Sequence, residues 1–104
     1  MNATSNNTII LVGHLGGDPA PKAGGCVEMR LCTTRGRKDA QIREWHTVKA
    51  FGELGSLCAK FLKKGRQIGV VGRLQYFETD PTRTQDGTKS VYAEIVADQI
   101  DFLG

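Results

Sequence analysis

Long hydrophobic runs and a signal segment are both missing from this sequence. None of its 104 residues lies in an apolar stretch of about 18 residues, the length a helix needs to cross a bilayer. The N-terminus also lacks the basic and then apolar order of a signal peptide. We therefore expect a cytoplasmic protein with no membrane partner, and the chain length suits one domain with a single core.

Cysteines are few and show no pairing pattern. The three, Cys26, Cys32 and Cys58, are an odd number and include no CxxC pair. This argues against a disulfide framework and against a zinc site. We expect reduced thiols that pack as small apolar side chains, and no metal.

Groups that would support catalysis are also scarce. His14 and His46 are the only histidines, and no set of nucleophile, base and metal ligands is visible. The GTKS segment at 87–90 lacks the spacing of a phosphate-binding loop. We predict a protein that is not an enzyme and needs no cofactor.

Positive charge is concentrated in the middle of the chain. Residues 22–73 hold 12 of the 14 Lys and Arg residues but only four of the 11 acidic residues. A basic middle segment is compatible with a polyanionic partner, although surface lysines also serve solubility alone.

Hydrophobic patterning predicts five strands and one helix. Strands are expected at 8–15, 27–34, 44–51, 67–76 and 91–97, from apolar or alternating runs bounded by turn residues. Residues 19–25 and 35–43 are expected as loops, 52–56 as a turn and 77–90 as an extended arm. The helix is indicated by apolar residues at helical spacing, namely Leu54, Leu57, Cys58, Phe61 and Leu62.

This order predicts the fold class: all-β with one helix, a five-stranded Greek-key barrel of the OB-fold type with the helix between strands 3 and 4. Gly13, inside the first strand, suggests the bulge or bend that a small barrel needs. We expect residues 1–7 to be a flexible lead-in and residues 8–104 to be the single domain, with no C-terminal tail.

The third strand has one face suited to nucleic acid. Alternation places four side chains on that face: Trp45, Thr47, Lys49 and Phe51. Aromatic rings can stack on unpaired bases and a cation can meet a phosphate, which is the chemistry of sequence-tolerant single-strand binding. The alternative is that both aromatics are core residues, but Lys49 on the same face would then be costly to bury.

Further cations and aromatics are candidate contacts. The loop at 35–43 is interpreted either as a basic finger over a bound nucleic-acid strand or as a solvated hairpin. Outside this loop, Arg73 and Lys22 are candidate phosphate contacts, and Tyr76 and Phe77 are candidate aromatic contacts. The two aromatics would either stack on bases or cover the barrel end. The candidate loop cations are Arg35, Arg37, Lys38 and Arg43.

Five segments resemble the bacterial single-stranded-DNA-binding protein family. In chain order they are IILVGHLGGDP (9–19), LCTT (31–34), EWHTVKAFGEL (44–54), AKFLKKGRQIGVVGRL (59–74) and AEIVAD (93–98). They run through nearly the whole chain. The resemblance implies an OB-fold that wraps single-stranded DNA without strong sequence preference, with Trp45 and Phe51 stacking on bases.

The resemblance also implies a homo-oligomer, usually a tetramer, with a dimer as the alternative. His46 matches a histidine near the family's subunit interface. We expect the apolar first strand to pair with its symmetry mate through Ile9, Ile10, Leu11 and Val12.

Three departures from the family pattern are visible. A frequent Trp in the loop after the second strand is matched here by Arg37, whose guanidinium is a candidate replacement for stacking. The arm after the fourth strand carries only Tyr76 and Phe77 at its base, and the acidic tail that recruits partner enzymes has no counterpart, so we do not expect tail-mediated recruitment.

Two alternatives to simple strand binding remain open. One is an accessory OB protein of the primosome type, specialised for a replication complex. The other is an assembly module that uses the face of Trp45 for protein contact.

Overall fold

The computed structural model describes residues 5–78 and 91–104, which form six strands and one helix. In chain order the elements are β1 (Ile9–Leu15), β2 (Ala20–Lys22), β3 (Cys26–Arg35), β4 (Ile42–Phe51), α1 (Gly52–Phe61), β5 (Gln67–Glu78) and β6 (Val91–Phe102).

Five long strands close into a barrel. They run in the order β1-β5-β6-β4-β3, and a short pairing of β1 with β3 completes the circle. The pairing of β4 with β6 is parallel and the others are antiparallel. This is the predicted Greek-key barrel, and α1 lies between the third and fourth long strands as expected.

Several strand boundaries move by one or two residues from the prediction, and three segments differ more. The segment 19–25 was predicted as a loop, but Ala20–Lys22 pairs with the start of β3 through a turn in which Gly24 and Gly25 have positive φ. The segment 52–56 was predicted as a turn and is the first half of α1. The last strand continues to Phe102, because a register shift at Val71/Gly72 lets β6 keep pairing with the start of β5.

The core fills the barrel with inward side chains from every long strand and from α1. Met29, Leu31 and Val48 are among the fully enclosed residues. From α1, Cys58 and the following Leu62 reach this core, whereas Leu57 and Phe61 of the predicted apolar stripe are exposed. Burial raises the pKa of the Cys58 thiol to about 11, so this cysteine packs as a small apolar side chain, as predicted.

Side-chain hydrogen bonds tie the residues before β1 to the barrel and join two of its loops to each other. The Asn7 side chain donates to the carbonyl of Leu74 and accepts from its N–H, at 2.7 and 2.9 Å. The Asp18 carboxylate accepts from the N–H of Lys64 at 2.8 Å. In the described ranges, 5–78 and 91–104, no helix has the length and apolarity to cross a membrane.

Gly13 allows the barrel to close. A Cβ at this position would overlap the carbonyl oxygen of Cys32, in the place where β1 meets β3 through the pair His14 and Cys32. The close approach of the two backbones therefore requires glycine. The register of β1 with β5 runs without a shift through Gly13, so the role of this glycine is close packing against β3.

We predict that Gly13→Ala lowers the free energy of unfolding by about 1–3 kcal/mol, the usual cost of forcing a methyl group into a packed interior. Chemical denaturation measures the change. Gly17→Ala is the matched control, because a Cβ there meets nothing within 4 Å. Equal stability of the two variants would contradict this account of closure.

Candidate functional site

One face of β4 points into the barrel and the other points out. Val48 and Ala50 are completely buried, whereas Trp45 and Phe51 are 48% and 49% exposed. The two rings are therefore surface residues, and the alternative that both are core aromatics is excluded. Thr47 and Lys49 lie between them on the same outward face, as the alternation predicted.

The strand β3 contributes the neighbouring row of this surface. Cross-strand pairing sets Cys32 beside Trp45, Arg30 beside Thr47, and Glu28 beside Lys49. The Arg30 guanidinium lies 5.5 Å from the centre of the Trp45 ring. A cation over the face of an indole is attracted to the ring and places positive charge beside it.

Trp45 also packs on the loop that follows β1. A Cβ at Gly16 would overlap the Cζ3 atom of the indole, so the ring lies directly on that glycine. Beside it is a hollow of about 270 Å³, lined in part by His14, Thr34 and Arg43. The predicted site residue Arg43 is thus brought next to Trp45.

A wider groove lies at the other end of the β4 face. Its volume is about 610 Å³, and it is lined by residues of five strands, β2 to β6, together with the turn after β2: Lys22, Ala23, Cys26, Glu28, Lys49, Phe51, Arg73, Gln75, Glu94 and Val96. Three predicted cations, Lys22, Lys49 and Arg73, meet here with the Phe51 ring.

Lys49 is paired within this groove. Its Nζ lies 2.8 Å from Oε2 of Glu94, whose side chain is only 8% exposed. The hydrogen bond to Glu94 is the main cause of the raised pKa of Lys49, against the opposing effect of burial. The ammonium is therefore held as a cation over the floor of the groove.

Phe77 and Tyr92 extend the aromatic surface beyond the groove. Their rings stack at 5.5 Å with an interplanar angle of 28°, and the Lys49 Nζ lies 5.7 Å from the Phe77 ring. Tyr76, the neighbour of Phe77, points to the opposite side of β5 and lines a separate hollow of about 340 Å³ with residues 6–9. The two aromatics predicted as a pair are thus separated.

The four cations predicted as a basic finger at 35–43 also lie on different parts of the surface. Arg37 and Lys38 lie exposed in the turn between β3 and β4. Arg35 is on the opposite face of β3 from Arg30, and its Nε donates to Glu44 at 2.7 Å. Arg73 is half exposed and lies 3.7 Å from an oxygen of Asp98.

Several residues of this surface were missed by the sequence analysis, notably Arg30, Tyr92, Glu94 and Gly16. Alternation along β3 is the local signal that could have identified Arg30 as an outward residue. Its position beside Trp45, however, depends on the β3–β4 register, and the position of Glu94 depends on the parallel pairing of β4 with β6, which is remote in sequence.

The predicted subunit-interface residues occupy a different part of the barrel. Ile10 and Val12 of β1 are exposed, while Ile9 and Leu11 pack against the core. In the described part of the chain, one edge of β1 bonds to β5 over Ile9–His14, and the other bonds to β3 only at His14 and Leu15. His46 pairs with Leu31, the β3 residue that Leu15 of β1 also meets, and its Nε2 lies 2.8 Å from the hydroxyl of Thr33.

Comparison with known proteins gives this surface a context. The model of the single-strand binding protein family matches residues 6–103. The chain belongs to that family. The match includes all six strands and the helix, so the resemblance seen in the five sequence segments is confirmed.

Individual relatives agree with the family assignment. The chain is 39% identical to the single-stranded DNA-binding protein 1 of Chlorobaculum tepidum and 41% identical to a single-stranded DNA-binding protein of Xylella fastidiosa, over 94% of its own length in each case. It spans 65% and 63% of those two relatives. The Plasmodium falciparum SSB complex with ssDNA superposes over both whole chains with a TM-score of 0.83 at 26% identity, which confirms the OB barrel.

We predict that Gly16→Ala changes the environment of Trp45 without unfolding the barrel. The added methyl group must push the indole off the loop, so tryptophan emission should shift to the red and iodide should quench it more strongly. Trp45 is the only tryptophan, so the signal has one source. Gly17→Ala should leave both properties unchanged, and equal spectra for all three proteins would contradict the packing described.

Proposed function

We propose that this single-strand binding family member holds single-stranded DNA along the outward face of β4, without catalysis and largely without sequence preference. The observation that carries the proposal is the pair of half-exposed rings, Trp45 and Phe51, on one strand face that also borders a cation-lined groove. Six residues of extended strand separate the rings by roughly 20 Å, so the face offers separate stacking positions to one strand.

The proposed path runs from Trp45 across the groove to the Phe77–Tyr92 stack. Bases lie against the rings, because every base has a π-face and stacking tolerates any sequence. Phosphates meet cations at the margins: Arg43 and Arg30 near Trp45, and Lys22 and Arg73 beside the groove. Arg37 and Lys38 supply further charge from the hairpin turn, whereas Arg35 faces away and is outside the path.

The names of related proteins support the proposal of single-stranded DNA binding. The curated relatives are named as single-stranded DNA-binding proteins, and the superposed Plasmodium falciparum structure is a complex with ssDNA. We propose that this chain likewise protects exposed strands during replication, recombination, repair or DNA transfer.

Substitution of the stacking rings tests the proposal. Trp45→Ala and Phe51→Ala should each weaken oligothymidylate binding by about 1–3 kcal/mol, the usual contribution of one stacked base. Fluorescence anisotropy of a labelled oligonucleotide measures both variants.

Phe61→Ala is the matched control, because Phe61 is 51% exposed, like Phe51, but lies on α1 outside the groove. It should bind as the unchanged protein does. If Trp45→Ala and Phe51→Ala bound as tightly as this control, the stacking face would have no role in DNA binding. Loss of oligomers with unaltered DNA affinity in Trp45→Ala would favour the assembly-module alternative instead.

We further propose that the chain forms a homo-oligomer, a tetramer or a dimer, through β1. Support comes from the edge of β1 left without a strand partner by the described residues, and from Ile10 and Val12, which expose apolar surface beside it. An edge strand of this kind is suited to pairing with a symmetry-related copy. His46, near the point where β1 leaves β3, is proposed to lie close to that contact.

We predict that Val12→Lys converts the oligomer to the 11.3 kDa monomer, because a lysine on each copy would place like charges across the interface. Light scattering measures the mass. Leu57→Lys, an equal change at an exposed position on α1, should leave the oligomer intact. A monomeric unsubstituted protein would remove the proposal.

A further inference from the structure

The floor of the groove carries a charge arrangement that simple phosphate binding does not require. Lys22 and Arg73 line the groove, but Lys49 is matched there by the carboxylate of Glu94, and a second carboxylate, Glu28, also lines it. A polyanion that enters the groove therefore meets the Lys49–Glu94 pair, which has no net charge, as well as the cations Lys22 and Arg73.

The Glu94 carboxylate is largely shielded from water, so solvent does little to stabilise its negative charge. Its side chain is 8% exposed, and Lys49 lies 2.8 Å from one carboxylate oxygen. A carboxylate this buried is costly to leave without a cation. A phosphate that drew Lys49 away would expose that cost and would also approach a fixed negative charge.

The surrounding register keeps the pair in place. Val48 and Lys49 pair directly with Ile95 and Val96 of β6, while Gln75 lies opposite Glu94 on β5. Both charged groups thus stand on paired backbone in the middle of the sheet. A mobile side chain on a loop could exchange partners more freely than these two residues can.

We propose that Glu94 limits the DNA affinity of this protein by holding the charge of Lys49 away from phosphates, so that bases rather than the backbone meet the groove floor. This inference rests on the proposed DNA-binding function and assigns Glu94 as a positioning residue. Phosphate contacts then fall to the cations at the margins, and binding stays weak enough for the strand to be released.

Salt dependence gives a direct test with oligothymidylate. Glu94→Gln keeps the size of the side chain but frees one positive charge, so binding should strengthen at low salt. The slope of log affinity against log salt should steepen by about 0.7, the value for one added phosphate contact on a single strand. Between 50 and 200 mM salt this is roughly a threefold greater loss of affinity. Arg73→Gln should make the slope shallower by about 0.7.

The double variant Lys49→Met with Glu94→Gln removes both charges of the pair at once. It leaves no buried charge without a partner, so this test does not depend on whether either single variant folds. Its slope should equal that of the unsubstituted protein, because a neutral pair replaces a neutral pair. A slope shallower by about 0.7 would mean that Lys49 binds phosphate and would overturn the proposal.

A second carboxylate variant tests whether the effect belongs to Glu94 or follows the loss of any negative charge from the groove. Glu28→Gln removes a carboxylate that lines the same groove, and it should change the slope less than Glu94→Gln does. Equal effects of the two, or weaker binding by a Glu94→Gln protein with an unchanged melting temperature, would overturn the proposal. Absence of binding by the unsubstituted protein would instead reject the DNA-binding function itself, so the two failures are distinguishable.

Discussion

Closure of the barrel is the constraint on which the rest of this structure depends. Once β1 meets β3 at Gly13 and Cys32, every long strand has one enclosed face, and the alternate side chains must point to the surface. For β4 this sends Val48 and Ala50 inward and forces Trp45 and Phe51 outward. The exposed rings follow from the pleat of a closed sheet.

The surface that results is organised by electrostatics as much as by aromatic rings. Arg30 lies over the Trp45 ring, while Lys49 is shared between Glu94 and the Phe77 ring. Each cation is thus fixed beside an aromatic side chain before any ligand is present. Preorganised side chains lose less conformational entropy on binding, which suits a face that accepts many different strands.

Much of this was predictable from local sequence signals. Alternation through 44–51 identified the outward face, and the order of strands and helix identified the barrel. The missed features all involve partners far apart in sequence. Glu94 reaches Lys49 only through the parallel β4–β6 pairing, and Gly16 meets Trp45 only because the end of β1 pairs with β3, where the Gly16 N–H donates to the carbonyl of Arg30. Register between remote strands leaves no trace in a local pattern.

The sequence by itself determined the family, the strand order and the residues that share each face, because all three depend on short-range spacing and motif. The tertiary structure decided which of those residues act together. It placed Arg43 beside Trp45, separated Tyr76 from Phe77, turned Arg35 to the far side and neutralised Lys49. Charge and stacking act over a few ångströms, and only the closed barrel fixes which side chains lie within that distance.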